Sequence, residues 1–276
     1  MSDAPDDRDN FCYRHPDRQS YILCQRCGRT ICPQCSTQAA VGVHCPECVK
    51  EAKANRPRRP PVSIRAARSL RNNPDRPIVT YAIMAICIAV FGAQLIFGSA
   101  LTSWLVYFSP ATFSQPWRLV TSEVAHGGPF HLLTNMFSLF IIGRMLEPAL
   151  GRIRFLALFV ISGIGGAAAV AVLLPWVPVL GASGAIFGML GALLVLIRRF
   201  GGNATQIMVV VGINLVIGFV LPNIAWQAHI GGFIAGAALT AIFVRTRSAK
   251  QRPVQVIAAV GIVVVLLAII AVAQRI

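Results

Sequence analysis

The chain has 276 residues and a formal net charge of +15, a length that suits one large domain or two small ones. Residues 1–77 hold seven of the eight cysteines, fourteen of the 25 Lys and Arg and eight of the ten Asp and Glu, whereas residues 78–276 carry only 13 charged side chains in 199 positions. Apolar runs of that kind, about 20 residues each, have bilayer-crossing length and exclude a one-domain soluble protein. An acidic start (Asp3, Asp6, Asp7, Asp9), with the first apolar run only near Pro77, also argues against an N-terminal signal peptide.

In chain order, residues 1–10 read as a disordered acidic N-terminus. Residues 11–49 contain Cys12-xx-His15, Cys24-xx-Cys27, Cys32-xx-Cys35 and Cys45-xx-Cys48. Four pairs with two-residue gaps supply eight ligands, enough for two tetrahedral, structural Zn2+ sites. Spacing alone leaves open which pairs share an ion. His44 reads as a bystander, and Cys87, inside the first apolar run, as a packing residue. So short a segment buries little core, so metal binding is expected to supply its folding energy.

Residues 50–77 form a basic linker with nine positive charges against Glu51 and Asp75 and prolines at 57, 60 and 61. A stiff spacer beside a bilayer is expected, attracted to anionic headgroups rather than to nucleic acid. Seven helices follow, at about 78–98, 130–147, 155–175, 183–198, 204–221, 228–244 and 254–274. Basic residues gather before the first, around the end of the second (Arg144, Arg152, Arg154), after the fourth (Arg198, Arg199) and after the sixth (Arg245, Arg247, Lys250, Arg252). The alternate connections are nearly bare, with only Arg118 and Glu123 in a long loop over 99–129. The positive-inside rule then predicts a multi-pass protein of the plasma (inner) membrane, N-terminus cytoplasmic and C-terminus external. In a reducing cytoplasm the cysteines are expected to bind metal rather than form disulfides. With no helix of the DNA-reading kind, the finger is expected either to bind a cytoplasmic protein partner or to serve as a small stabilising cap.

Polar side chains within membrane helices are costly and mark function. His131 and Asn135 lie on the second helix, Ser183 on the fourth and His229 on the sixth. All three helices run inward, so these residues fall at similar depth near the external surface, with Asn135 one turn below His131 on the same face. Gly181-Ala182-Ser183-Gly184 opens the fourth helix, and His229, Gly232 and Gly236 share one face of the sixth. Glycine-lined faces let helix backbones approach closely, close enough for a serine hydroxyl to meet an imidazole as nucleophile and base. His131 and Asn135 are candidate oxyanion donors. A carboxylate partner for the histidine is missing: Glu147 lies about 24 Å deeper than His131 at about 1.5 Å per residue, and Glu123 falls in the external loop, read as flexible. A Ser-His dyad results.

These residues resemble the rhomboid family of intramembrane serine proteases. The resemblance spans roughly 78–244 and rests on Trp117-Arg118, His131-xxx-Asn135, Gly181-Ala182-Ser183-Gly184 and Ala228-His229-xx-Gly232-xxx-Gly236. It implies an all-α polytopic fold with a six-helix core over 78–244, and a cytoplasmic loop and seventh helix over 245–276. It further implies that Ser183 is the nucleophile, His229 the base, and His131, Asn135 and the Ser183 amide the oxyanion hole. Trp117 and Arg118 would belong to a first-loop structure in the outer leaflet, His126 would hold water near the site or rest at the interface, and Glu147 would be structural. Phe187 stands where many relatives have Tyr, which keeps ring packing on His229 but loses a hydroxyl. The implied substrates are single-span or multi-span membrane proteins cut near the external face. The alternative is an inactive scaffold that binds membrane clients. The N-terminal segment resembles B-box zinc fingers, which implies that Cys12/His15 share an ion with Cys32/Cys35 and Cys24/Cys27 with Cys45/Cys48.

Overall fold

The protein is described from a computed structural model covering residues 10–39, 42–54, 76–220 and 224–275. The expected acidic tail and most of the basic linker lie outside these residues. Two compact units divide the chain, Met1–Ala67 and Arg68–Ile276.

In the first unit β1 (Phe11–Cys12) pairs antiparallel with β2 (His15–Gln19), and β3 (Thr37–Gln38) with β4 (Val43–His44), before helix α1 (Pro46–Ala54). Among the described residues its buried hydrophobic core is Ile31 and six of the seven cysteines, Cys27 being exposed. One isoleucine is far too little apolar surface to fold such a segment, so its stability has to come from whatever holds the cysteines.

The second unit is helical: α2 (Ile78–Leu105), the short α3 (Arg118–Thr121), α4 (Pro129–Leu150), α5 (Arg152–Leu173), α6 (Ser183–Arg199), α7 (Thr205–Val220), α8 (Trp226–Arg245) and α9 (Arg252–Ala273). Five of these, α2, α4, α5, α8 and α9, are long and apolar enough to cross a membrane; α7 is apolar but shorter. The chain is thus a multi-pass membrane protein with the expected helical architecture. α2 outruns its expected end at residue 98. Gly98 breaks the helix (φ 62°, ψ −142°), yet the chain resumes helical geometry to Leu105, with Thr102 Oγ1 donating to Gly98 O at 3.1 Å.

The 99–129 loop is likewise more structured than expected. It holds the end of α2, a 3-10 turn at Ser109–Ala111 and α3, and a bridge joins Tyr107 to Val179. The Arg118 guanidinium donates to the carbonyls of Ser103 and Val106, both at 2.6 Å, satisfying acceptors that the end of α2 leaves free. At the other end of α2, Pro77 offers no side-chain cap. The Glu147 carboxylate, from the last turns of α4, takes over by accepting from Val79 N–H (2.9 Å), Thr80 N–H (2.8 Å) and Thr80 Oγ1 (2.8 Å). A carboxylate on orphaned N-terminal amides, where the helix dipole is positive, is a strong pairing.

The centre of the unit is α8 packed on α6 and α5. Cβ atoms built on Gly232 and Gly236 would fall 2.0 and 2.2 Å from the carbonyl oxygens of Gly184 and Gly188, and one on Gly231 would fall 2.3 Å from Gly165 O. Gly232→Ala therefore has to push α8 off α6, and a destabilisation of about 1–3 kcal/mol is expected. Gly261→Ala, which meets nothing within 4 Å, is the control. Thermal unfolding in detergent checks the pair, and equal midpoints would contradict the packing.

Candidate active site and candidate metal centres

Ser183 is the first residue of α6, and the close contact with α8 sets its hydroxyl beside His229. Ser183 Oγ and His229 Nε2 are 3.0 Å apart. The Phe187 ring, one turn along α6, lies flat on the imidazole, with centroids 4.1 Å apart and planes 4° from parallel. His229 is buried, and its Nδ1 has no hydrogen-bond partner among the described residues. Among the described residues no carboxylate orients it: Glu147 is spent on α2, and neither oxygen of Glu123 has a partner.

His131 faces the same place from α4. A Cβ on Gly181 would fall 2.6 Å from His131 Cε1 and 2.7 Å from Nε2, so this imidazole edge lies against the Gly181 backbone. Gly181 has φ 122°, a left-handed conformation that favours glycine. Gly127 N–H donates to His131 Nδ1 at 3.3 Å. With Nδ1 accepting, a neutral imidazole carries its proton on Nε2, the nitrogen turned toward Gly181. Asn135 Nδ2 donates to His131 O at 2.8 Å. That uses one of its two amide hydrogens and leaves the other.

The structure thus brings Ser183, His229, Phe187, Gly181 and His131 together, with Asn135 one turn below and Gly184 and Gly232 forming the helix contact beneath. Trp117 and Arg118 stand apart in the loop: Trp117 stacks on Trp104 with centroids 5.2 Å apart, and Arg118 holds the end of α2. Two expectations are corrected. Glu123 is not in a flexible loop; it is buried against Gly163 of α5. His126 is not interfacial; it is buried, edge-on to His131 with ring centroids 5.3 Å apart. Sequence reasoning missed Gln94 of α2, which bonds both the N–H and the carbonyl of His126 (3.0 and 3.2 Å), and Ser122, whose carbonyl accepts from Gly181 N–H at 2.8 Å. The only signal for Gln94 was a polar residue in an apolar stretch, whereas Ser122 acts through its backbone carbonyl, which its residue type does not encode.

In the first unit Cys12, His15, Cys32 and Cys35 form one cluster, and Cys24, Cys27, Cys45 and Cys48 the other, with ligand atoms within 4.8 Å of one another in each. His15 presents Nδ1, 3.8 Å from Cys12 Sγ and 3.4 Å from Cys32 Sγ and Cys35 Sγ, and Cys27 and Cys45 place their sulfurs 3.7 Å apart. Two sulfurs each about 2.3 Å from a tetrahedral ion stand roughly 3.8 Å apart, and a sulfur and an imidazole nitrogen slightly less. Both sets fit a metal ion. His44 belongs to neither.

The local backbone prepares these ligands. Gly28 (φ 74°) turns the chain after Cys27, and Cys45 N–H points at Cys24 Sγ (3.2 Å). Burial works against ionising Cys12 and Cys24, but surrounding hydrogen bonds, led by the Cys32 backbone for one and the Cys45 backbone for the other, draw each down to about 6. Burial and crowding by neighbouring thiols push Cys48 up to about 12, a repulsion that a shared cation removes. Elemental analysis of the purified chain is expected to find about two metal ions, falling to about one in Cys27→Ser. No bound metal in the wild type would refute both centres.

Residues 114–246 match the Rhomboid domain family model. Rhomboid protease GluP of Bacillus subtilis is 39% identical over 175 residues, covering 58% of this chain and 34% of that protein. RHOMBOID-like protein 1 of Arabidopsis thaliana is 39% identical over 137 residues, covering 47% of this chain and 35% of its own length. Inactive RHOMBOID-like protein 8 of the same plant is 32% identical over 126 residues, covering 43% and 36%. The chain spans only about a third of the length of these relatives.

Proposed function

We propose that this protein is a rhomboid-type intramembrane serine endopeptidase working through a Ser183–His229 dyad, a reading supported by the match of residues 114–246 to the Rhomboid domain and by the similarity to rhomboid relatives. The observation that carries the reading is the 3.0 Å contact between Ser183 Oγ and His229 Nε2. In the proposed reaction Ser183 Oγ attacks a peptide carbonyl of the substrate while His229 Nε2 takes the hydroxyl proton. The C–N bond breaks, and the amine leaves with that proton. Water then attacks the acyl ester, giving a proton to His229, which passes it to Ser183 Oγ as the ester C–O bond breaks and the acid product leaves.

Charge on the carbonyl oxygen is met by donors already in place. Ser183 N–H sits at the first position of α6, where backbone amides have no intrahelical partner. The His131 Nε2 proton and the remaining Asn135 amide hydrogen complete the oxyanion hole. Phe187 holds the His229 ring by stacking alone. Helical peptide carbonyls are shielded, so the expected substrates are membrane proteins whose spanning segments unwind easily near the bilayer surface.

Topology belongs to the same proposal. The alternation of basic connections sets the N-terminus in the cytoplasm and the C-terminus outside, in the plasma membrane, and puts Ser183 near the external face. The domain boundaries at 11–49, 50–77, 78–244 and 245–276 follow. For the two clusters, all-sulfur and three-sulfur-one-nitrogen tetrahedra favour zinc. Cys12, His15, Cys32 and Cys35 would hold one ion and Cys24, Cys27, Cys45 and Cys48 the other, supplying folding energy and no step of the hydrolysis. The finger's proposed role is either to engage a cytoplasmic protein or to serve as a small cap that stabilises the N-terminal segment, and a nucleic-acid partner is not expected.

The relative named inactive favours one second reading, a scaffold that binds membrane clients without cutting them. The two readings separate in one assay. With detergent-purified protein and a model single-span substrate, Ser183→Ala and His229→Ala are each expected to lower cleavage by about 10³-fold or more. Cleavage equal in all three proteins would refute the dyad, and stable client binding without cleavage by the wild type would favour the scaffold.

A further inference from the structure

Glu123 has no part in the chemistry above. It lies within the segment 122–126, which touches the candidate site at two points. Ser122 O holds Gly181 N–H, and the His126 ring rests on His131. Gln94 clamps the His126 backbone from α2. Between these points the Glu123 side chain is turned inward onto α5. A Cβ on Gly163 would fall 1.9 Å from Glu123 Oε1 and 2.0 Å from its carboxyl carbon, so a glycine at 163 is what leaves room for the acid. Glu123 is 4% exposed, and neither oxygen has a hydrogen-bond partner among the described residues.

Charged groups near it do not rescue an ionised form. From α2, fully buried Cys87 lies within electrostatic reach and offers no positive charge. α5 carries no titratable side chain beyond Arg152 and Arg154 at its far start, more than two turns from Gly163. Along the loop, the Arg118 guanidinium is committed to the end of α2. His126 is held near neutrality: burial, then the proximity of His131, lowers it to about 4. An unpaired carboxylate in such surroundings is strongly disfavoured, and burial accordingly raises Glu123 well above the usual carboxylate range.

We propose that Glu123 is a positioning residue for the active site: as a neutral acid it seats segment 122–126 on Gly163, and its ionisation releases that segment and loosens the hold on Gly181 and His131. Only the catalytic consequence rests on the protease reading. The sign follows from linkage. The seated form binds the proton more tightly than the released form, so seating is complete at low pH. The seated-to-released ratio then falls by up to about tenfold per pH unit above the free carboxyl's range, until the acid ionises in place.

The test uses the full chain in lipid nanodiscs. Amide hydrogen exchange over 118–128 is followed between about pH 5 and pH 9 and corrected for intrinsic exchange, with cleavage measured in parallel. Wild-type protection is expected to fall as pH rises. Glu123→Gln, neutral throughout, is expected to hold its protection level and to keep activity on the alkaline side. Parallel pH slopes in the two proteins would overturn the proposal. Gly163→Ala is the second variant: its methyl occupies the carboxyl's seat, and low, pH-independent protection is expected. A wild-type profile there would also overturn it. Exchange reads seating even where no cleavage occurs, so a failure of the protease reading is distinguishable from a failure of this one.

Discussion

Two helix backbones in this protein approach more closely than side chains normally allow, and the candidate site depends on that approach. Gly184 and Gly188 on α6 face Gly232 and Gly236 on α8, with each carbonyl lying where a Cβ would otherwise stand. In a bilayer, apolar side chains gain little by leaving lipid for one another, so helices associate through close packing and polar contacts. Here the glycines provide both the packing and the geometry. Ser183 lies directly before Gly184, and His229 lies one turn before Gly232. The same contact that binds the helices therefore brings Oγ and Nε2 to 3.0 Å.

Polar groups away from the site follow the usual economy of a membrane interior, where an unsatisfied group is costly and each is expected to find a partner. Glu147 caps α2, Arg118 closes its far end, and Gln255 ties α9 to Arg154 at 2.9 Å. Among the described residues the exceptions include His229 Nδ1, His126 Nε2 and both Glu123 oxygens at or beside the site, and in the same unit also Ser109 Oγ, Ser162 Oγ, Gln227 Oε1 and Thr240 Oγ1. Unsatisfied buried groups are the places where a protein departs from stability for some other purpose. His229 needs Nε2 free to accept a proton. Glu123 fits the same logic only as an acid that keeps its own proton.

What the sequence made legible follows from how each feature is encoded. Helices show as long apolar runs, and each of the seven expected segments forms a helix, although α2 continues past Gly98 to Leu105 and α6 and α7 are shorter than the five of bilayer-crossing length. Ser183 and His229 stood out because a polar side chain in such a run is rare and because glycines flanked both. The cysteine pairs announced metal ligation through spacing, but spacing alone left the pairing open; resemblance implied an interleaved arrangement, and three dimensions brought His15 to Cys32 and Cys35. The first loop was the blind spot. Its order comes from contacts distant in sequence, such as Gln94 on His126, Glu123 on Gly163 and Tyr107 on Val179. No local periodicity records these, so Glu123 and His126 read as mobile or interfacial when both are buried.

The central claim is that Ser183 is a nucleophile activated by His229, and covalent trapping tests it most directly. The detergent-purified chain is treated with a serine-directed fluorophosphonate, and the modified peptide is identified by mass spectrometry. One adduct is expected, on Ser183, and it disappears in His229→Ala while the variant remains folded. Labelling of a different residue, or labelling of Ser183 undiminished in His229→Ala, would contradict it.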